Sequence, residues 1–247
     1  MTELLLPVAF LVIVLVAVHS WFGLTILRRG IIFTDLAIGQ VAAVGSALSV
    51  AFFHGDHLYA FTLAFALAGA VLITYAVNRL RHIEAFIGLL YVLGASSVVL
   101  VLSRSPEGME HFSALLATDI LFTSPRAIVE STIIYALIGA VILFVYPKMR
   151  GIFSELLFFA MLAVTVTSSV QLAGVLVVFV LLIAPALIGL TQQRFSPYGA
   201  ALVSGTLFGG GAIAFSYFFD FPTGYTLVFA GALSALLAML LHPASRA

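Results

Sequence analysis

The fold of this chain is decided by the stretch Arg28-Arg29-Gly30-Ile31-Ile32-Phe33-Thr34-Asp35-Leu36-Ala37-Ile38-Gly39-Gln40-Val41-Ala42-Ala43-Val44-Gly45. Two arginines end one apolar segment, and a second apolar segment starts at once with an aspartate and a glutamine inside it. A charge within a bilayer is costly, so an acid in such a segment indicates a functional site. Small residues four apart, such as Gly39 and Ala43, favour close approach of another helix. The stretch therefore predicts an interior transmembrane helix.

The composition places the whole chain in a membrane. Of its 247 residues, 63% are hydrophobic and 8% are charged, and the mean hydropathy is +1.25. A soluble domain carries roughly 25% charged residues. The formal net charge of zero argues against a nucleic-acid partner, and the lack of cysteine excludes disulfides and thiolate metal sites. We predict one transmembrane domain over residues 1–247, multi-pass in the cytoplasmic (inner) membrane of a bacterium.

The apolar segments predict an all-α fold with about nine transmembrane helices, since a span needs about 20 apolar residues. We place them near 4–27, 31–53, 58–77, 85–103, 126–146, 152–170, 172–190, 198–218 and 223–241. The stretch 152–190 is too long for one span, and we predict two spans joined by a tight turn at Gln171–Gly174. Residues 112–123 are apolar but too short to span, and predict a short helix that lies at the external surface or dips into the membrane from it.

The basic residues predict the orientation, because cytoplasmic loops carry an excess of Lys and Arg. With the N-terminus outside and the C-terminus inside, eight of the ten basic residues fall on the cytoplasmic side. The two exceptions are Arg104 and Arg126.

Three polar residues within the spans are candidates for an ion path: His19, Asp35 and Gln40. Counted from the arginine pair, Asp35 lies roughly 9–10 Å above the cytoplasmic surface, Gln40 about 17 Å and His19 about 14 Å. Asp35 could instead pair with Arg28 or Arg29, and His19 and Gln40 could form hydrogen bonds between packed helices. Residues five apart on a helix differ by about 140°. Asp35 and Gln40 therefore cannot both face one ion unless the helix bends.

Two further groups lie in predicted external loops. His54, Asp56 and His57 are donors of the kind that bind divalent metals, although such residues also form ordinary solvated turns. Glu110 and His111 could contact a partner or attract cations. No Walker A pattern, dinucleotide-binding glycine signature, HExxH motif or nucleophile elbow occurs. We therefore expect no enzymatic activity in the chain itself.

Several stretches resemble the membrane-spanning permeases of bacterial ABC importers for zinc, manganese and iron(II). These are residues 19–24, 29–45, 84–88, 110–121, 167–186 and 220–224. The resemblance implies a permease that forms a homodimer, sits on two cytoplasmic ATPase subunits and receives metal from an extracytoplasmic binding protein. It implies no covalently bound cofactor, and a divalent metal ion as the substrate.

The chain departs from this family at two places. Well-known members carry Asp-Ala-Leu-Ser-His in the second helix, whereas Gln40 stands here at the histidine position and Asp35 is displaced by one residue. This resembles the branch with an Asp-Leu-Ala-Leu-Ala-Gln pattern, and His19 could supply the missing nitrogen donor. The family's longer cytoplasmic segment between the fifth and sixth spans is reduced here to residues 146–152.

We therefore expect a permease subunit of an ABC importer of divalent metal ions, powered by a separate ATPase. The short connection at 147–151 leaves an alternative open, an ATPase-independent metal channel or carrier derived from such a permease. A non-transporting membrane subunit is a third possibility, which the buried Asp35 argues against.

Overall fold

The computed structural model describes residues 2–103, 120–192 and 195–241, with the side chains of residues 2–4 excepted. Within these ranges the chain forms nine α-helices and two short 3-10 turns, and no strand. The helices are α1 (Thr2–Arg29), α2 (Thr34–Phe53), α3 (Leu58–Arg79), α4 (Ile83–Leu102), α5 (Pro125–Phe144), α6 (Ile152–Ala173), α7 (Val175–Thr191), α8 (Pro197–Phe219) and α9 (Thr223–Leu241).

Eight of these helices are long and apolar enough to cross a membrane, and α7 is a shorter apolar helix of 17 residues. At a rise of 1.5 Å per residue, α7 spans roughly 25 Å, slightly less than the hydrocarbon core of a bilayer. The predicted all-helical, polytopic fold is confirmed, and each helix falls within a few residues of its predicted span. The predicted direction of insertion stays a prediction.

The break between α6 and α7 occurs at Gly174, where the turn was predicted. Gly174 has φ of 83° and ψ of 159°. A side chain is disfavoured in that region of backbone space, whereas glycine enters it freely. This one residue therefore divides the long apolar stretch 152–190 into two helices.

The chain divides into two compact units, each assembled from segments far apart in sequence. The first unit comprises residues 1–30, 119–135 and 172–247, and the second comprises residues 31–118 and 136–171. Because the segments alternate along the chain, no single boundary separates the units into consecutive domains.

In the first unit, α1, α7, α8 and α9 pack together. A Cβ placed on Gly23 of α1 would overlap the carbonyl oxygen of Leu182, so α1 and α7 meet there backbone to backbone. At the start of α8, the hydroxyl of Tyr198 donates a hydrogen bond of 3.0 Å to the carbonyl of Ala17. Such close approach and interhelical hydrogen bonding are what holds helices together in lipid, where apolar burial gives no net drive.

In the second unit, α2 packs against both α3 and α4. Ser46 of α2 and Thr62 of α3 share a hydrogen bond of 2.7 Å. Further along the helices, a buried apolar cluster joins α2 to α4, and its members are Ala47, Val50, Val98 and Leu102. Ala43, one of the small residues predicted to favour helix contact, packs against this cluster.

The short helix predicted near 112–123 falls mostly outside the described residues. Ile120–Phe122 forms a 3-10 turn. The hydroxyl of Thr123, directly after it, donates a hydrogen bond of 2.9 Å to the carbonyl of Leu172.

Candidate functional site

Asp35 is buried at the start of α2. It is the second residue of the helix, and its side chain is only 2% exposed. The preceding Thr34 is bonded to its own turn, its hydroxyl donating to the carbonyl of Ile31 over 2.6 Å. Within the described chain, the Oδ1 atom of Asp35 has no hydrogen-bond partner. A buried carboxylate without full compensation is costly, so this position is suited to interact with a cation.

The neighbours of Asp35 on α2 face two different helices. Gly39 lies one turn after Asp35 on the same face, and a Cβ placed on it would lie 3.9 Å from Cγ1 of Val166 on α6. Gln40 turns toward α4 instead, where a Cβ on Gly94 would lie 2.9 Å from the Cβ of Gln40. Since α2 is one helix through this region, Asp35 and Gln40 point in different directions.

His19 is fully buried in α1. Its Nδ1 lies 2.8 Å from the carbonyl oxygen of Leu15. A carbonyl can only accept, so Nδ1 carries the proton and Nε2 carries the lone pair of the neutral ring. One turn further along the same face, Gly23 abuts Leu182, which turns His19 toward α7. His19 belongs to the first unit and Gln40 to the second, so a shared role for them stays a prediction.

The loop between α2 and α3 carries the predicted donors His54, Asp56 and His57. All three side chains are exposed. His54 and His57 have left-handed φ values of 53° and 59°, and Gly55 between them has 85°. Ser49 donates a hydrogen bond of 2.7 Å to the carbonyl of Asp56 and so holds the loop.

No three His, Asp or Glu side chains converge as a metal site in the part of the chain that the structure describes. Metal contact by His54, Asp56 and His57 therefore stays a prediction. Glu110 and His111 lie outside the described residues.

The sequence reasoning missed three other buried polar atoms. The Oγ of Ser20, Oε2 of Glu84 and Oγ1 of Thr167 are buried without a hydrogen-bond partner among the described residues. A signal for Thr167 is present, since four of the five residues 165–169 carry hydroxyls in an otherwise apolar helix. The sequence does not show which of the four lacks a helix carbonyl as acceptor.

Comparison with known proteins gives the chain its family. The model of the ABC 3 transport family matches residues 1–242, almost the whole chain. The chain belongs to the ABC 3 transport family. This membership confirms the predicted resemblance to ABC importer permeases, and with the apolar helices it identifies a multi-pass protein of the bacterial inner membrane. It does not favour the ATPase-independent channel or carrier.

One curated relative and two solved structures are similar to this chain. The relative, from Haemophilus influenzae (strain KW20 Rd), is named "Probable iron transport system membrane protein" and is 25% identical over 166 residues. The match covers 59% of this chain and 60% of the relative, less than two thirds of its length.

Both solved structures show the same fold at low sequence identity. PsaBC from Streptococcus pneumoniae, in complex with Fab, is 20% identical with a TM-score of 0.73, covering 97% of this chain and 92% of that one. The second structure, described as "An inward-facing conformation of a putative metal-chelate type ABC transporter", is 16% identical with a TM-score of 0.68, covering 96% of this chain and 85% of that one.

Proposed function

We propose that this ABC 3 family chain is the permease of an importer that carries a divalent metal ion, zinc, manganese or iron(II), across the inner membrane. Two copies of the chain would form the path, a separate ATPase would supply energy, and an extracytoplasmic binding protein would deliver the metal. The named iron transport relative and the metal-chelate type structure support a metal as cargo. Nitrogen and oxygen donors, the donors available here, suit all three metals.

The observation that carries this proposal is the burial of Asp35. A carboxylate with 2% exposure and one unpartnered oxygen sits in a helix long and apolar enough to cross the membrane. Intramembrane acids of this kind mark ion pathways, because their cost in lipid is otherwise uncompensated. In this account Asp35 attracts the dehydrating cation near the cytoplasmic end of the path.

His19 and Gln40 would line the path at a different depth in the membrane from Asp35. Nε2 of His19 carries the lone pair with which a neutral imidazole binds a metal. The amide oxygen of Gln40 is a neutral oxygen donor. Both residues lie nearer the middle of their spans than Asp35 does, so they would meet the cation before it reaches Asp35.

The permease would contact the ATPase through short loops between its helices. The connection between α5 and α6 contains only the 3-10 turn Tyr146–Lys148 and exposed residues after it. We propose that the loops near 78–84 and 190–197, predicted to lie on the same side, share the docking. Metal transport would then depend on ATP although no long cytoplasmic segment is present between α5 and α6.

The test is metal accumulation in cells that produce this chain together with the ATPase and the binding protein of the proposed importer. Zn²⁺, Mn²⁺ and Fe²⁺ are supplied one at a time, and cell-associated metal is measured against cells lacking the chain. We expect accumulation of at least one of the three, and its loss when the phosphate-binding lysine of the ATPase is replaced. Accumulation that survives this replacement would contradict an ABC importer, and no accumulation of any of the three would contradict metal import.

A further inference from the structure

The hydroxyl-rich segment of α6 holds a buried group that the chain itself leaves unpaired. Thr165, Thr167, Ser168 and Ser169 are all buried, with Thr165 and Ser169 at 0% exposure and Thr167 at 3%. Their helix is the most buried of the eight long apolar helices in the described chain. Four hydroxyls within five residues are therefore removed from both water and lipid.

Three of these four hydroxyls are satisfied within the helix. Thr165 donates to the carbonyl of Met161 over 2.8 Å, Ser168 to that of Val164 over 3.0 Å, and Ser169 to that of Thr165 over 2.7 Å. These are bonds to the preceding turn, the usual way a hydroxyl is accommodated in an apolar helix.

Thr167 does not follow this pattern. Its Oγ1 is buried and has no hydrogen-bond partner among the described residues. A buried hydroxyl without a partner loses its hydrogen bonds to water and gains none in return, so it disfavours folding. The hydroxyl of Thr167 is thus not explained by the packing of α6.

The position of Thr167 relates it to Asp35. Val166, the residue before Thr167, faces Gly39 of α2. Gly39 lies one turn, about 6 Å, from Asp35 on the same face of α2, and Thr167 points about 100° away from Val166, to one side of this contact. Asp35 and Thr167 each present a buried, unpartnered oxygen, and both belong to the second unit.

We propose that Thr167 is a lining residue of the ion path, whose hydroxyl contacts the divalent cation or a water molecule of its hydration shell. The inference rests on the proposed function and adds a residue of α6 to Asp35 of α2, which belongs to the same unit. A threonine hydroxyl has one donor and two lone pairs, so it binds a hydrated cation through water or a partly dehydrated one directly. It carries no charge and so holds the ion weakly enough to release it, as passage requires.

Replacing Thr167 tests this by separating transport from folding. Thr167→Val keeps the shape of the side chain and removes the hydroxyl, so it removes an unpaired polar atom from the folded protein. We expect maximal metal uptake to fall about tenfold at equal amounts of chain in the membrane, while the melting temperature of the purified protein is unchanged or raised. Thr167→Ser, which keeps the hydroxyl, should restore uptake to within about twofold of the natural chain.

The matched control is Thr165→Val, two residues earlier in the same helix. Thr165 is equally buried, but its hydroxyl donates a hydrogen bond to the carbonyl of Met161. We therefore expect metal uptake by Thr165→Val to stay within about twofold of that of the natural chain. Uptake is measured with Zn²⁺, Mn²⁺ and Fe²⁺ separately, in cells that also produce the ATPase and binding protein.

Three outcomes would overturn the role of Thr167. The first is normal metal uptake by Thr167→Val, and the second is an equal loss of uptake in Thr167→Val and Thr167→Ser. The third is a reduced amount of folded Thr167→Val protein, which would show that the hydroxyl stabilises the fold. In each of these cases the natural chain would still import metal, so the proposed function would stand. Failure of the natural chain to import any of the three metals would contradict the proposed function instead.

Discussion

Gly94 of α4 lies directly against Gln40 of α2. A Cβ placed on Gly94 would lie 2.9 Å from the Cβ of Gln40 and 3.0 Å from its carbonyl carbon. Both contacts involve atoms that cannot swing away, because the backbone of α2 holds them. The α2–α4 distance at this level is therefore set by the absence of a side chain at position 94.

Replacing Gly94 should loosen this contact. We expect Gly94→Ala to lower the free energy of unfolding by about 1–3 kcal/mol, because an inserted methyl group forces two packed helices apart. The control is Gly88→Ala on the same helix, where a Cβ meets no atom within 4 Å. That variant should be neutral or up to about 1 kcal/mol more stable, as alanine favours a helix more than glycine does. Thermal unfolding of the purified proteins measures both, and equal melting temperatures would contradict the contact.

The direction of insertion is a separate prediction. The distribution of basic residues places residues 55 and 221 outside and residues 80 and 149 inside. Single cysteines introduced at these positions into the naturally cysteine-free chain should react with a membrane-impermeant maleimide only at 55 and 221 in intact cells. Labelling at 149 from outside would show the opposite topology, and Asp35 would then lie at the external end of its helix.

His19 should act through Nε2 and not through Nδ1. Asparagine places its amide nitrogen near the position of Nδ1 and can keep the bond to Leu15, but it loses the group at Nε2. Glutamine reaches the position of Nε2 with a donor oxygen. If Nε2 meets the metal, His19→Asn should lower uptake about tenfold and His19→Gln should lower it less. An uptake for His19→Asn that matches the natural chain at equal protein levels would limit His19 to helix packing.

The helices themselves could be predicted because local features determine them. Apolar length fixes a span, and the arginine pair and Gly174 mark where spans end. The depths of His19, Asp35 and Gln40 in the membrane were counted from the rise of the helix and the predicted orientation, and stay predictions. Membership of the permease family could also be predicted from the sequence, because the motifs that carry the resemblance extend along most of the chain.

The directions of the side chains could not be predicted, because they depend on which helices pack together. Small residues occur on several sides of α2, among them Ala37, Gly39, Ala42 and Gly45, so several rotations of α2 are equally compatible with its sequence. The contacts of Gly39 with Val166 and of Gln40 with Gly94 resolve this rotation. For the same reason, the sequence alone could not distinguish the unpaired Thr167 from its three bonded neighbours.

In the proposed function the buried charge of Asp35 serves the transported cation, and the variant Asp35→Asn tests this role. Asparagine keeps the size of the side chain and removes the charge. The measurement is metal uptake in cells together with the melting temperature of the same purified variant, with Glu130→Gln, at an exposed acid on α5, as control. We predict that Asp35→Asn abolishes uptake and leaves the melting temperature unchanged or raised, since a neutral amide is easier to bury, while Glu130→Gln imports metal normally. Normal uptake by Asp35→Asn would contradict the account, and so would a loss of uptake with a lowered melting temperature, which would show that the charge stabilises the fold.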